Sequence, residues 1–393
     1  MGARLVGVLA ACAVACAAAQ AAHAGSITVT QSPSGTKLDF EAAPGEANRL
    51  SVEGRWGFDD GHAYIFEITD AGAPLGVAAS DLQCFDRGAT VICGSEDGGG
   101  ASGEVEIELD LGDLDDRVDA SGSCAFFRAQ DAGPPPESCR VEIEGGGGDD
   151  TIFGSERSTC PWRRPCPPPP SDNVLSGGTG DDRLDAHGTP GRASLAGGEG
   201  GDRLLGGPGR DSLRGGGGAD DLLGRGDTDR LDGGPDGDTL LGGSGTDTAS
   251  YASRTALVSV VLDALRTDGE DGENDLVLEI ENVIGGQAGD HLVGDGRRNV
   301  LEGRAGNDGL FGRGGRDSTD GGAGNDYAAG GEGDDELTGG AGRDRLFGEA
   351  GDDLFRARDG LGDRVGGGAE LDRARLDALD RATSIEQAAV AAV

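Results

Sequence analysis

The residues of this sequence best placed to do chemistry are aspartates, and they recur at a fixed spacing. From residue 188 to 250 the chain divides into seven nine-residue units, and from residue 285 to 356 into eight more. The first position of the unit is Gly in all fifteen copies, the sixth is Asp in thirteen and the eighth is Leu in eleven. Carboxylates repeated in this way are suited to holding hard cations, which take oxygen ligands.

The unit itself predicts how these aspartates are arranged. A Gly-rich hexamer adopts tight turns that other residues avoid, and the three residues after it form a short strand with Leu facing inward. Two units close one flat coil, and successive coils stack as parallel strands about 4.8 Å apart. Each edge of the stack then carries a column of aspartates: Asp202, Asp220 and Asp238 on one edge, and Asp211, Asp229 and Asp247 on the other.

Calcium is the cation that fits such columns best, because it accepts six to eight oxygens and mixes carboxylates with carbonyls. Magnesium demands a tight octahedron and keeps its waters, and transition metals favour His or Cys. The repeats contain only His187 and His291, which do not cluster. Stacked carboxylates repel one another without a counterion, and the sequence therefore predicts calcium between the coils.

The pattern GGxGxDxUx resembles the RTX, or hemolysin-type, calcium-binding repeat over roughly residues 145–376. The resemblance implies a parallel β-roll in which calcium lies between turn loops one coil apart. Two sixth-position aspartates eighteen residues apart and main-chain carbonyls would hold each ion, with about ten ions in all. The predicted metal ligands are Asp150, Asp182, Asp202, Asp211, Asp220, Asp229, Asp238, Asp247, Asp290, Asn299, Asp308, Asp317, Asp326, Asp335, Asp344 and Asp353.

Several copies depart from the pattern. Ala193 removes a carboxylate from the pair with Asp211, and Asn299 keeps an oxygen but loses a charge. Asp363 and Asp372 lie in degenerate copies, and their roles as ligands stay open. The acidic turn at 268–275 is interpreted either as a solvated turn or as an additional calcium site.

The first 24 residues predict a secretory signal peptide, cleaved after Ala24, because one Arg precedes an apolar Ala-rich stretch and a small-x-small site. An N-terminal membrane anchor, or lipidation at Cys12 or Cys16, is the alternative. The other six cysteines fall in close pairs, which favours short-range disulfides in an exported protein, with zinc as the competing interpretation. These pairs are Cys84/Cys93, Cys124/Cys139 and Cys160/Cys166.

Residues 25–110 alternate apolar and polar residues over short stretches separated by turns, which predicts a small antiparallel β domain. Its aromatic residues would form a thin core or, alternatively, a ligand site: Trp56, Tyr64, Phe66 and Phe85. The predicted segments are a signal peptide (1–24), an N-terminal β domain with disulfides (25–140), irregular first repeats with a Cys/Pro-rich insertion (141–187), a first run (188–250), a β spacer (251–284), a second run (285–376) and a C-terminal cap (377–393).

We expect the spacer to lie within one solenoid, with an inter-domain hinge as the alternative. The cap is expected to be a strand followed by a short Ala-rich helix that covers the open end.

Composition and missing motifs narrow the function. The 72 acidic residues against 33 basic ones, a net charge of −39, argue against nucleic acid and anionic membranes as partners. No internal apolar run is long enough for a spanning helix, so no membrane insertion is expected. The sequence lacks HExxH, GxSxG and a Walker loop, and we expect no enzyme activity.

Together these features predict an all-β, secreted, extracellular calcium-binding protein: a parallel β-roll preceded by the small antiparallel domain. It would fold on binding calcium and serve a structural or cell-surface role. One alternative is a calcium-dependent adhesin that binds a glycan or protein through the N-terminal domain. Another is a secreted hydrolase with a catalytic site in residues 25–140. The sequence makes no prediction of oligomeric state.

Overall fold

The computed structural model describes residues 26–32, 35–41, 49–59, 62–70, 76–79, 83–86, 90–94, 104–110, 116–120, 138–154, 171–188 and 191–390. In the strands before Leu109 it describes the backbone alone. The chain divides into two compact units, residues 1–169 and residues 170–393. Across the described ranges every regular element is a strand. A membrane-spanning helix is accordingly not found among them.

The described residues of the first unit form eleven strands: β1 (Ser26–Ser32), β2 (Gly35–Glu41), β3 (Arg49–Asp59), β4 (His62–Asp70), β5 (Gly76–Ala79), β6 (Gln83–Asp86), β7 (Thr90–Gly94), β8 (Glu104–Asp110), β9 (Arg117–Asp119), β10 (Ser138–Gly147) and β11 (Thr151–Phe153). The hairpin pairs β1–β2, β3–β4 and β6–β7 are antiparallel, whereas β2–β8, β8–β10 and β9–β11 are parallel. Because the pairing is mixed, the small antiparallel domain stays a prediction.

Several N-terminal predictions lie outside the described residues. These are the signal peptide, the side chains of the four aromatic residues and the side chains of the six cysteines. Because the cysteine side chains are not described, the three disulfides stay predictions. The backbone register does place Cys84 directly opposite Cys93 in the β6–β7 pair.

The second unit is a parallel β-solenoid of about twelve turns, which confirms the predicted fold of the repeats. Its first sheet, sheet I, contains β12 (Ser171–Thr179), β14 (Ala193–Glu199), β16 (Ser212–Gly217), β18 (Arg230–Asp232), β20 (Thr248–Ser250), β24 (Asn282–Ile284), β26 (Val300–Glu302), β28 (Ser318–Ala323), β30 (Glu336–Ala341), β32 (Leu354–Ala357), β34 (Arg373–Leu376) and β36 (Gln387–Val390).

The opposite sheet, sheet II, contains β13 (Arg183–Asp185), β15 (Arg203–Leu205), β17 (Asp221–Asp227), β19 (Thr239–Gly245), β21 (Val258–Val261), β22 (Arg266–Glu270), β23 (Asp275–Leu278), β25 (His291–Val293), β27 (Gly309–Gly314), β29 (Tyr327–Glu332), β31 (Arg345–Ala350), β33 (Arg364–Ala369) and β35 (Arg381–Thr383). Neighbouring strands within the fifteen regular repeats pair in parallel with a register of eighteen residues, such as Leu213 with Leu231 and Leu222 with Leu240.

The core lies between the two sheets and is built from the eighth position of each repeat. Leu213 in sheet I is 1% exposed and Leu222 in sheet II is fully buried. Because the repeat is short, each coil adds only one such residue per sheet. The ladder of sheet II that enters the first run and continues through it is typical: Leu184, Leu204, Leu222 and Leu240.

The ninth position distinguishes the outer faces of the two sheets. It comes directly after a buried residue in the strand and so points outward. On sheet II it is apolar in both runs: Leu205, Leu223, Leu241, Val293, Phe311, Ala329 and Phe347. On sheet I it is polar after Ala196: Arg214, Asp232, Ser250, Glu302, Asp320, Thr338 and Arg356. The structural repeat is therefore eighteen residues, twice the repeat that the sequence displays first.

The spacer (251–284) contributes strands to both sheets. In sheet I, β20 pairs directly with β24, and β24 pairs with β26, all in parallel. In sheet II the order is β19, β23, β22, β21 and β25, and β22 runs antiparallel to both of its neighbours. Val260 and Val277 are at most 2% exposed and continue the core through this segment.

The predicted C-terminal helix is wrong. Residues 387–390 instead form β36, which pairs in parallel with β34. Alanine favours helices, but propensity is a weak preference that tertiary context overrides. Here the backbone groups of Ala388 and Ala389 find partners at the edge of sheet I, which gives those groups the hydrogen bonds that a helix would have supplied.

We predict that Leu213→Ala destabilises the solenoid by about 2–5 kcal/mol, the usual cost of truncating a buried Leu. Urea unfolding at saturating calcium measures the change. Leu379→Ala is the matched control, because Leu379 is 58% exposed and its truncation should leave the unfolding midpoint almost unchanged. Equal effects of the two substitutions would contradict the assignment of the eighth position to the core.

Candidate metal centres

The Gly-rich hexamers form the turns that join the two sheets. Gly216, at the second position of its repeat, has φ of +125°. A Cβ there would also collide with the carbonyl oxygen of Gly198 in the preceding coil. Glycine meets both requirements, because it has no Cβ and adopts positive φ without strain. A main-chain carbonyl oxygen of one coil therefore lies close to a glycine of the next coil.

The sixth-position residues are buried, no more than 4% exposed, and they form columns along both edges. In each column one backbone N–H donates to the side chain of the next coil. The distance from the Asp202 nitrogen to Oδ1 of Asp220 is 2.8 Å, and from the Asp220 nitrogen to Oδ1 of Asp238 it is 2.9 Å. These bonds tie the spacing of the carboxylates to the spacing of the coils.

The columns include every predicted ligand of the second unit. One column contains Asp182, Asp202, Asp220 and Asp238 and, beyond the spacer, Asp290, Asp308, Asp326 and Asp344. The other contains Asp211, Asp229 and Asp247 and, beyond the spacer, Asn299, Asp317, Asp335 and Asp353. In the first unit, Oδ1 of Asp150 accepts the N–H of Asp116 at 2.8 Å.

The second carboxylate oxygen, Oδ2, is the atom available to a metal. It lies over the first-position Gly of its own repeat, close to the carbonyl oxygen of the first-position Gly one coil later. A Cβ on Gly215 would collide with both Oδ2 of Asp220 and the carbonyl oxygen of Gly233. In most repeats Oδ2 is buried without a hydrogen-bond partner: Asp202, Asp220, Asp229, Asp238, Asp247, Asp308, Asp317, Asp326, Asp335, Asp344 and Asp353.

Three sixth-position side chains are already occupied by local hydrogen bonds. Oδ2 of Asp211 accepts the N–H of Gly207 at 2.6 Å, and Oδ2 of Asp290 accepts that of Gly286 at 2.5 Å. Oδ1 of Asn299 accepts the N–H of Asp295 at 2.8 Å. Two of the three stand at or next to a departure from the repeat, since Asp211 pairs with Ala193 and Asn299 replaces the usual Asp.

The donor set fits calcium. It consists of carboxylate and carbonyl oxygens alone, the ligands that calcium combines in irregular geometry. Among the described residues, no three His, Cys, Asp or Glu side chains converge as a metal-holding group. Main-chain carbonyls must therefore complete any coordination shell, as the flexible Gly-rich turns allow.

Burial raises the pKa of these carboxyl groups, because removing a carboxylate from water disfavours its charged form. The pKa of Asp220 rises to about 7 and that of Asp238 to about 8, in both cases mainly by burial. The N–H bond to Oδ1 lowers the pKa, while neighbouring carboxylates in the column raise it further. In their charged form these buried columns therefore need a cation.

The structure extends both columns with residues that the sequence analysis missed. Across the spacer, the Asp238 nitrogen donates to Oδ1 of Asp275 and the Asp247 nitrogen donates to Oε2 of Glu281, both at 2.9 Å. These residues stand 37 and 34 positions later, so a nine-residue period does not reveal them. The recurring geometry of the N–H to carboxylate bond is the signal that identifies them.

At the C-terminal end the degenerate copies hold the same positions. Asp344 donates its N–H to Asp363, and Asp353 donates its own to Asp372. Beyond them, the Asp363 N–H is accepted by Asp380 and the Asp372 N–H by Glu386. The columns thus reach the last coil, although the repeat pattern has faded there.

The acidic turn of the spacer is buried in part. Asp268 and Asp275 are each 1% exposed and stand opposite one another in the β22–β23 pair. Oδ1 of Asp268 accepts the N–H of Val261 at 2.8 Å, and the hydroxyl of Tyr251 donates to Oδ2 of Asp275 at 3.0 Å. Burial raises the pKa of Asp268 to about 7. These two carboxyl groups are therefore structural members of the solenoid and not solvated turn residues.

A β-solenoid whose turns are lined with buried oxygen ligands for a hard cation is the class of protein that this fold and these columns define. The family model described as the RTX calcium-binding nonapeptide repeat (four copies) matches residues 142–156, 170–189, 196–231, 221–249, 284–318 and 320–355. The chain therefore carries RTX calcium-binding nonapeptide repeats, as the sequence pattern predicted, and these repeats imply calcium binding. The search of curated proteins found no match.

We predict that Asp220→Asn weakens the two inter-loop positions on either side of it, because Oδ2 loses its charge while the backbone spacing is kept. The calcium midpoint should rise at least about tenfold at those positions, the scale seen when support for a metal ligand is lost. Isothermal titration calorimetry measures this. Asp221→Asn is the control, since Asp221 is the exposed neighbour. An unchanged isotherm for Asp220→Asn would contradict the site.

The raised pKa values also predict that protonation of these carboxyl groups stabilises the fold when the metal is absent. A carboxyl whose pKa rises from 3.8 to about 7 on folding, as for Asp229 and Asp317, stabilises the metal-free fold fully below pH 3.8. That contribution is lost as the pH rises through about 7. Metal-stripped protein should therefore gain β signal in circular dichroism between pH 8 and pH 4. Equal signal across this range would overturn the prediction.

Proposed function

We propose that this chain is an exported, non-catalytic calcium-binding protein whose solenoid folds as it binds calcium, with a structural role outside the cell or at its surface. One observation carries the proposal. A buried carboxylate oxygen without a hydrogen-bond donor faces a main-chain carbonyl oxygen in repeat after repeat, as Asp220 faces Gly233. Two such oxygens attract a hard cation and repel one another without it.

The charge of the chain supports the same proposal. The net charge is −39, and the columns concentrate much of it in rows of carboxylates. About ten calcium ions would offset roughly half of that charge. Metal binding would therefore relieve the repulsion that opposes stacking of the coils.

The core supports a coupling of folding to metal binding. Most nine-residue units bury one large apolar side chain, such as Leu213, between the sheets. Ordering nine residues, several of them glycines, costs more conformational entropy than one buried Leu returns. We infer that the remaining free energy comes from the metal, so that binding and folding are one transition.

Export is proposed from the sequence. The N-terminal apolar stretch and the cleavage site after Ala24 are typical of a secretory signal peptide. The opposition of Cys84 and Cys93 across the β6–β7 pair is compatible with a disulfide, which forms outside the cytoplasm. Extracellular calcium-binding modules bind at about 10⁻⁴–10⁻³ M, an affinity that suits that compartment.

Far-UV circular dichroism of the full chain during a calcium titration tests the proposal. After chelation the spectrum should show little β structure, and a steep, cooperative gain should follow at about millimolar calcium. Magnesium at the same concentration is the control and should not reproduce the gain. A spectrum already folded under chelator, or an equal response to magnesium, would contradict the proposal.

A further inference from the structure

On one edge, the last turn of the first run contacts a buried arginine of the spacer. Arg254 is 8% exposed, and its guanidinium lies among oxygen atoms. One Nη2 hydrogen is donated to the carbonyl of Gly234, and Nη2 also lies 3.4 Å from Oε1 of Glu273. Nε lies 4.0 Å from Oε1 of Glu270. The cation thus bridges the first-run loop 233–238 and the hairpin turn 270–275.

This place is the continuation of a regular series. In the first run, the carbonyl oxygen of each second-position Gly faces the second-position Gly of the next coil, from Gly198 to Gly216 and from Gly216 to Gly234. No further Gly comes after Gly234 in that series. Its carbonyl oxygen accepts a hydrogen bond from Arg254 instead.

The loop that carries Arg254 is itself a turn of the solenoid without a sixth-position carboxylate. The Val258 nitrogen donates to Oδ1 of Asp290 at 2.9 Å, the bond that an aspartate nitrogen makes in a regular coil. Val258 therefore holds the sixth position, and Arg254, four residues earlier, holds the second. In agreement, the carbonyl oxygen of Arg254 faces Gly286, the second-position Gly of the next coil. Among the described turns of this edge in the spacer and next to it, one has Val instead of Asp at the sixth position. The cationic side chain of Arg254 belongs to that turn.

We propose that the guanidinium of Arg254 is the resident cation of the spacer and occupies the inter-loop position that calcium takes between regular turns. The proposal rests on the proposed calcium-binding function. It means that the two runs are joined at a point whose negative charge is partly neutralised without metal. It also means that the oxygens of Gly234, Glu270 and Glu273 form a latent divalent-cation site, which opens when the arginine is removed.

A latent site and a simple buried ion pair respond differently to substitution of the arginine. Breaking a buried ion pair leaves uncompensated charge and destabilises the protein by itself. A latent site instead recruits calcium, because the oxygens left behind are the ligands that calcium prefers. The number of bound ions therefore separates the two interpretations.

Native mass spectrometry of the calcium-loaded full chain counts the ions directly. We expect Arg254→Gln to fold at millimolar calcium and to bind one ion more than the unsubstituted chain. Arg210→Gln is the matched control and should leave the count unchanged, because Arg210 pairs with Asp227 at 3.5 Å on the exposed surface. Arg254→Lys keeps a cation in place and should also leave the count unchanged.

The double variant Arg254→Gln with Glu273→Gln guards against misreading a folding defect. It removes one charge of each sign, and it should fold without the extra ion. An unchanged count in Arg254→Gln, or failure of that variant to fold at millimolar calcium, overturns the proposal. If the unsubstituted chain binds no calcium, the proposed function itself fails, which is a distinct result.

Discussion

Coils of this solenoid can stack only if carboxylates about 4.8 Å apart tolerate one another in a buried environment. Each aspartate of a column meets this constraint with its two oxygens in different roles. Oδ1 accepts a backbone N–H from the neighbouring coil and so fixes the carboxylate in position, as Asp238 does for Asp220. Oδ2 remains buried beside carbonyl oxygens, where only a proton or a metal ion relieves the charge.

The weak core makes this constraint decisive for the whole fold. The one or two buried apolar residues of each unit, such as Leu222, align the strands but cannot outweigh the entropy of ordering a Gly-rich chain. We therefore expect the stability of the solenoid to depend on the occupancy of its turns. Acid and calcium should act on the same oxygens, since the pKa of Asp238 is raised to about 8 by its burial.

The spacer shows how the columns survive a break in the repeat. Two additional strands enter sheet II, yet Asp275 and Glu281 accept the same backbone bonds that regular aspartates accept. One edge then continues through Val258, which has no carboxylate, and there the arginine side chain supplies positive charge. Residues of different types therefore balance the charge along this edge. Their positions in the fold, and not a sequence motif, give them this role.

The sequence by itself determined the repeat, the inward Leu, the columns of aspartates and hence the all-β solenoid, because these depend on spacing within nine residues. It did not reveal that Asp275, Glu281 and Glu386 join the columns, that β22 runs antiparallel, or that residues 387–390 form a strand. Those features depend on which strand becomes the neighbour once the period is interrupted. Tertiary structure decided them, because hydrogen bonding between coils selects partners by position in space and not by distance along the chain.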